Sequence, residues 1–243
     1  MLSTLPARES LQMEIVRQLI AAIMPGSCLL CGTDVAGHER LLCAGCTADL
    51  PHSGRACYVC GAALPQDQVC GRCLARPPAF DHVVSAYIYR YPVDQLIKGL
   101  KYRQQLAVVR PLAQALVQRI RQEGGPLPDC LLPVPLHPLR LLQRGYNQAL
   151  EIAREVGREL GIAVANEVVR RQRFTREQAR LSLPARRRNL RRAFTLRYPP
   201  DVRHLAIVDD VMTSGATAGE LARVLRRHGA ERVDVWVLAR TQA

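Results

Sequence analysis

The sequence predicts an α/β fold: a mostly parallel sheet with helices on both faces, preceded by a small cysteine-rich module. Three observations carry that prediction. Eight of the nine cysteines fall into four C-x-x-C pairs between residues 28 and 73. A double proline, Pro77-Pro78, then marks a change of texture. Beyond it, short apolar runs alternate with segments of helical period, as strands joined by crossover helices do.

Taken in order, residues 10–23 place Leu11, Ile15, Leu19 and Ala22 at helical spacing and predict a short packing helix. Residues 28–73 hold too few apolar side chains for an independent core. Arg76-Pro-Pro-Ala79 reads as a boundary, because consecutive prolines disfavour helix and break a sheet ladder. The expected domains are therefore 1–79 and 80–243. Within the second, strands are expected over 82–89, 130–134, 204–209 and 233–238, and helices over 92–103, 105–122, 147–160 and 218–228. Residues 172–188 show no pattern, and a loop of that length in a compact domain is either functional or disordered.

Composition narrows the function classes. Of 243 residues, 48% are hydrophobic, enough for a sizeable core and too many for wholesale disorder. No apolar run approaches the roughly 20 residues needed to cross a bilayer, and Met1–Ser10 lacks the layout of a signal peptide. A cytoplasmic protein without membrane insertion is expected. The formal charge is +13, and all the excess lies in 80–243, since residues 1–79 hold six basic and six acidic side chains. Segment 170–192 alone contains ten Arg and one acidic residue, Glu177. Such a stretch invites phosphate-bearing partners, nucleotides or nucleic acid, although a solvated loop accounts for many charge runs.

The cysteine pairs, Cys28/Cys31, Cys43/Cys46, Cys57/Cys60 and Cys70/Cys73, have metal-ligand spacing. Zn²⁺ takes four soft ligands in a tetrahedron, and each C-x-x-C turn supplies two. Gly32 and Gly61 follow their cysteines, where a positive φ suits the turn. Two structural Cys₄ zinc sites are expected, paired sequentially, with interleaved pairing as the alternative. A redox role would call for a thioredoxin-like βαβ pattern, which is missing here. Cys130 opens an apolar strand and reads as a small buried side chain.

The segment from His204 to Glu220 is the richest in chemistry. An apolar strand, Leu205-Ala-Ile-Val208, delivers Asp209 and Asp210 at its C-terminal end, followed by Val211-Met-Thr-Ser-Gly-Ala-Thr217 and a helix. Small residues let backbone N–H groups approach an anion, the hydroxyls of Thr213, Ser214 and Thr217 add donors, and the helix N-terminus adds partial positive charge. A plainer reading is a helix start, with Thr217 and Glu220 as a capping box. That reading leaves the two adjacent carboxylates unexplained.

On Ile207–Thr217 the chain resembles the type I phosphoribosyltransferases, whose motif is a strand, two acidic residues and a Thr/Ser-Gly-x-Thr loop. The resemblance narrows to the ComF family on the four knuckles, Leu96-Ile-Lys-Gly-Leu-Lys-Tyr102, Pro133-Val-Pro-Leu136 and Arg144-Gly-Tyr-Asn-Gln148. Thr175, Gln178, Leu181, Arg186, Asn189 and Phe194 are similar to its mobile-loop pattern; Ser214 stands for the commoner Thr, and Ala185 where an acidic residue is frequent. The resemblance implies a type I phosphoribosyltransferase-like sheet that binds 5-phosphoribosyl 1-diphosphate (PRPP) with Mg²⁺. Asp209 and Asp210 would be the catalytic pair on the ribose hydroxyls, and Val211 to Thr217 the 5′-phosphate site. Pro135, Leu136, His137 and Arg144, at the same sheet edge, would take the diphosphate. Asn147 and Gln148 are equally well read as ligand contacts or helix caps, and Lys98 and Lys101 as phosphate contacts or surface charge. ComF relatives are associated with DNA uptake, so the implied partners include single-stranded DNA, through segment 170–192, and a competence or helicase protein. Whether transfer is catalysed stays open; a PRPP-sensing, DNA-binding or scaffold protein is the alternative.

Overall fold

The structure is a computed structural model, described over residues 26–35, 41–66, 68–172, 193–198 and 202–242. The helix expected over 10–23, most of the segment 172–188 and the arginines from Arg173 to Arg192 lie outside the described residues. By packing, the chain divides into two compact units, Met1–Leu50 and Pro51–Ala243.

In the first unit, β1 (Gly26–Ser27) and β2 (Asp34–Val35) pair antiparallel around the Cys28–Cys31 turn. Gly32 closes that turn at φ 75°, donating its N–H to Cys28 O at 2.8 Å. The short helix α1 (Ala44–Ala48) starts from Cys43 and carries Cys46.

The second unit holds the other knuckle pair and the main sheet together. After α2 (Gly71–Ala75), which carries Cys73, comes β3 (His82–Ile88), then α3 (Val93–Tyr102) and α4 (Val109–Glu123), with a 3₁₀ turn at Leu106–Val108 between them. The chain continues through β4 (Cys130–Pro133), α5 (Pro138–Arg144), α6 (Gln148–Leu160), β5 (Ala163–Val164), β6 (Val169–Arg171), β7 (Phe194–Leu196), β8 (His204–Met212), α7 (Ala216–Arg226) and β9 (Arg232–Arg240). The sheet is five-stranded, ordered β3-β9-β8-β4-β5, and every pair in it is parallel. β6 and β7 form a separate antiparallel ribbon.

Period-2 alternation sends β-strand side chains to two faces, and both are covered. Val83, Leu132, Ile207, Val235 and Val237 pack with Leu221 and Leu225 of α7 and with Phe194 of the ribbon. The opposite face takes α4 and α6, which also pack on each other. Ile207, Leu131, Leu205, Leu221 and Ile152 are all fully buried. Each such side chain contributes about 1.5–3 kcal/mol relative to exposure.

β3 is an edge strand, and an unpaired edge is a site of aggregation. Here residues 51–58 cover it: Ile88 N donates to Pro51 O at 2.8 Å, Ser53 N to Ala86 O at 2.8 Å, and Val83 N to Tyr58 O at 3.2 Å. The second knuckle pair is thereby built onto the sheet. Gly61 sits at φ 65°, and a Cβ there would lie 2.8 Å from Val83 Cγ1.

The strands near 82, 130, 204 and 233 form as expected, with one informative difference. β8 does not end at Asp209 but runs on to Met212, because β9 keeps pairing with it, Val211 opposite Ala239 and Met212 opposite Arg240. The final helix accordingly starts at Ala216, not residue 218. Helix α5, the two-residue β5 and the β6–β7 ribbon had no periodic signal long enough to announce them.

Replacing Gly61 with Ala tests how tightly the knuckle seats. A left-handed residue with a Cβ costs about 1–2 kcal/mol before any clash, so the thermal midpoint should fall, while the conservative control Gly54→Ala, at a position with open space around it, should change little.

Candidate functional site

The site begins where one strand pairing stops. β4 pairs with β8 from Cys130 to Pro133, and Val134 N still donates to Val208 O at 2.9 Å. The ladder goes no further: the Val134 carbonyl accepts from Asn147 Nδ2 at 3.0 Å. β8 goes on beside β9 for four more residues, Asp209 to Met212. The sheet therefore opens between β4 and β8 at the C-terminal ends of parallel strands, the edge where open α/β sheets bind ligands. A cavity of about 410 Å³ lies there. Its lining includes Asp209, Asp210, Val211, Met212, Thr213, Gly215, Ala216 and Thr217 from one side, and Leu136, Arg140, Arg144, Gln148 and Arg171 from the other.

The two carboxylates behave differently. Burial, reinforced by the neighbouring Asp210 charge, holds Asp209 well above the usual carboxylate range. Burial alone would raise Asp210 too, but the Lys101 ammonium, 2.5 Å from its Oδ2, holds it below. Asp210 is only 3% exposed. Lys101 comes from the end of α3 and lines the cavity with Lys98, whose Nζ is taken by Asp94 at 2.7 Å. Two adjacent acids with one cation between them give one ionised carboxylate and one that resists ionisation, hence acceptors and a donor for hydroxyl groups.

The loop itself is short, Thr213 to Gly215. Gly215 is the cap residue of α7 at φ 73°, where a Cβ would meet Met212 Cε at 2.7 Å and Phe80 Cζ at 3.4 Å. Only glycine fits both that conformation and that space. Thr217 stands in the first turn of α7, so the capping box does not form, and Glu220 pairs with Arg223 instead. The Ser214 hydroxyl oxygen accepts from Ala216 N at 3.4 Å. The cap residue Gly215 itself brings no side chain to the start of α7.

On the opposite wall, Leu136 and Arg144 line the cavity, whereas Pro135 and His137 do not. His137 is the N-cap of α5, its Nδ1 accepting from Leu139 N at 3.2 Å. Asn147 is likewise structural: its Nδ2 donates to Val134 O and its Oδ1 accepts from Ala149 N, both at 3.0 Å, tying α6 to the end of β4. Arg144 donates to Gln148 Oε1 at 2.5 Å, and its guanidinium lies 5.8 Å from the Tyr102 ring centre. Sequence reading missed Arg140, one turn before Arg144 on the unforeseen α5, and Arg171, which looked like part of a loop. Arg171 is 6% exposed, lies 5.5 Å from the Phe194 ring, and has its pKa lowered to about 10 by burial and the nearby Arg140 charge. The cavity thus sets two acids and a short loop at a helix start against a cationic wall.

The eight paired cysteines form two separate clusters, Cys28, Cys31, Cys43 and Cys46, and Cys57, Cys60, Cys70 and Cys73, so pairing is sequential. Within each, all four sulfurs lie within 4.8 Å of one another. A Zn–S bond of about 2.3 Å sets tetrahedral sulfur separations near 3.8 Å. Cys31 and Cys43 Sγ lie 3.7 Å apart, and Cys60 and Cys70 Sγ 3.8 Å. Burial alone would raise the thiols of Cys28 and Cys57, yet backbone hydrogen bonds bring them down to about 6 and about 7, toward the thiolate a metal binds. Both donor sets fit structural zinc.

A parallel α/β protein with paired Cys₄ modules and a strand–loop–helix cavity is the class these features define. Residues 19–74 match the double zinc ribbon domain. The chain is 36% identical over 223 residues to DNA utilization protein YhgH of Salmonella typhi, covering 90% of this chain and 98% of that one. It is also 36% identical over 221 residues to Competence protein F of Haemophilus influenzae, covering 88% and 96%. It belongs to this family of DNA utilization and competence proteins, the ComF family. Two solved structures are similar over 54% of the chain: the purine phosphoribosyltransferase from Pyrococcus horikoshii Ot3, at 18% identity, 72% of its length and a TM-score of 0.31, and the allosteric regulatory enzyme of purine biosynthesis, at 20%, 26% and 0.33. That likeness is too loose to transfer a substrate.

Two measurements follow. Elemental analysis should find two zinc ions per chain; Cys28→Ser and Cys57→Ser should each remove one, with a loss of order 10 kcal/mol in the folding of the affected module. Iron, or metal-free protein with reduced thiols, would contradict the zinc assignment. In Lys101→Met, Asp210 should titrate at higher pH by carbon-13 NMR, since its counter-charge is gone. The wild-type pair contributes stability above the ordinary carboxylate pKa and loses it as pH falls through the lowered Asp210 value; that acid-side loss should shrink in the variant.

Proposed function

We propose that the cavity binds PRPP, and that the protein is a cytoplasmic PRPP-binding member of its family acting in DNA uptake or use. The observation that carries this reading is the strand β8, which runs two acids straight into an amide-lined loop at a helix N-terminus, opposite an arginine wall. In this assignment Thr213 to Thr217 hold the 5′-phosphate, with Val211 and Met212 at its base. Asp209 and Asp210 accept or donate to the ribose 2′- and 3′-hydroxyls. The loop after β4, at Leu136, takes the diphosphate together with Arg144.

If transfer occurs, the bond from C1′ to the diphosphate oxygen breaks while an acceptor nitrogen bonds to C1′ and gives up its proton. The protein's part is to position both partners and stabilise the departing charge. Bound Mg²⁺ would supply charge neutralisation between diphosphate and ribose oxygens. The acidic side chains that would hold the sugar–metal unit are Asp209 and Asp210. Residues 1–79 form, in this proposal, the segment whose folding depends on zinc, and 80–243 the ligand-binding domain.

The alternative, a PRPP-sensing or single-stranded-DNA-binding protein without turnover, is favoured by Arg171, a described member of the arginine-rich run, which lines the cavity. A competence or helicase protein would be the expected further partner.

Calorimetry with Mg²⁺ should show PRPP binding to the wild type and none to Asp209→Ala/Asp210→Ala, with the fold intact; equal affinity would exclude the ribose assignment. Diphosphate release across a panel of bases separates transfer from sensing. For DNA, affinity should fall steeply with salt, because each neutralised phosphate releases a counterion. Replacing Arg186, Arg187 and Arg188 with Gln should flatten that slope and spare PRPP binding. No measurable DNA binding at low salt would remove the nucleic-acid reading for the isolated protein.

A further inference from the structure

We infer that Arg240 is a positioning residue that makes the anion-binding loop depend on the second zinc site and not on the first. The inference rests on the PRPP reading for its ligand, though not for its geometry.

Arg240 ends β9 and is 4% exposed. Its guanidinium bridges two parts of the second unit. Nε donates to Cys60 O at 3.0 Å, while Nη1 donates to Met212 O at 3.2 Å and to Thr213 O. The same Nη1 reaches Thr241 O at 2.7 Å, which anchors the group to its own strand. One rigid planar fork therefore holds the backbone of a metal-ligating cysteine and the backbone of the loop.

The direction of those loop bonds matters. In a trans peptide the C=O and the following N–H point opposite ways. Turning the carbonyls of Met212 and Thr213 to Arg240 turns the N–H groups of Thr213 and Ser214 away from it. Those amides are the donors an anion needs. Buried bonds from a charged donor are strong, and losing them loosens the loop beyond Met212, whose carbonyl keeps its bond from Thr241 N at 3.1 Å.

At its other end, the Cys60 carbonyl is held only as firmly as its turn. Gly61 N donates to Cys57 O at 2.8 Å and Cys57 N to Ala62 O at 2.7 Å, closing the knuckle beneath the Cys₄ cluster. Gly61 lies against Val83 with no room for a Cβ, and a Cβ there would also come 3.9 Å from Arg240 Cδ. The knuckle is thus wedged between an edge strand and Arg240. A bound metal at the second site fixes this turn, the turn fixes Arg240, and Arg240 fixes the amides of the loop. Arg240 thus bonds to a ligand of the second cluster, while Cys28, Cys31, Cys43 and Cys46 belong to the other compact unit.

The test uses the full-length zinc protein and two readouts, PRPP affinity by calorimetry and amide hydrogen exchange at Thr213 and Ser214 by NMR. Arg240→Lys keeps the charge and loses the fork. It should retain two zinc ions and a cooperative unfolding transition, yet exchange faster at both amides and bind PRPP roughly tenfold more weakly, as expected from one lost charge-assisted bond. Cys70→Ser, missing the second zinc, should show the same loop signature; Cys31→Ser, missing the first, should not. Unchanged exchange in Arg240→Lys, or equal effects of the two cysteine variants, would overturn the coupling. Should Cys70→Ser fail to fold, Arg240→Lys alone decides the role of the arginine, and selective chelation of the weaker-held zinc, with loop exchange followed throughout, decides the coupling. If wild type binds no PRPP, the ligand assignment falls, while the exchange data still decide the role of Arg240.

Discussion

β4 leaves β8 at Val134, whose carbonyl is taken by Asn147 Nδ2, while β9 stays with β8 as far as Met212. That difference in length between two ladders opens the sheet, and the cavity that Asp209, Asp210 and the loop line depends on it. Lys101, arriving from α3, supplies the counter-charge that lets Asp210 stay ionised at 3% exposure. An unpaired buried carboxylate would cost several kcal/mol. Chain connectivity and electrostatics thus meet at the same four residues.

A second dependence runs through the edge strand β3. Its outward side is satisfied by residues 51–58 and its inward side by β9, so the knuckle segment acts as structural cover for the sheet as well as a metal site. This explains why packing groups Cys57 to Cys73 with the sheet although composition groups them with Cys28 to Cys46. The change in texture at Pro77-Pro78 is real at the level of sequence. Cohesion is decided instead by hydrogen bonds and by the Gly61–Val83 contact, neither of which composition registers.

Much of the fold was legible because its strands are buried on both faces and read as unbroken apolar runs between helical periods. The cysteine clusters were legible for a different reason: a C-x-x-C turn carries its own geometry. The acids and loop of β8 were legible since local sequence builds the whole feature. What escaped were elements too short for a period, α5 and β5, and side chains whose role is set by distant neighbours. Arg140 faces the cavity through a helix that begins at a His–Pro cap. Arg171 reads as one of ten arginines in a charged run, and only the β6–β7 pairing singles it out. His137 and Asn147 show the converse. Both looked fit for chemistry, and both turn out to satisfy backbone groups at helix starts.

Covering β3 from its N-terminal side also bears on how the chain is made. Asp81, just before β3, accepts from Val233 N, 152 residues further on, and β3 itself waits for β9 to complete its inner side. During synthesis the knuckle segment emerges ahead of β3 and can mask its outer edge at once, whereas the inner edge stays open until nearly the whole sheet has been translated. A chain whose most distant strands must pair is slow to fold and exposes sticky backbone while it waits. Metal capture at Cys57 and Cys60 early in translation would help to hold the end of that cover in place.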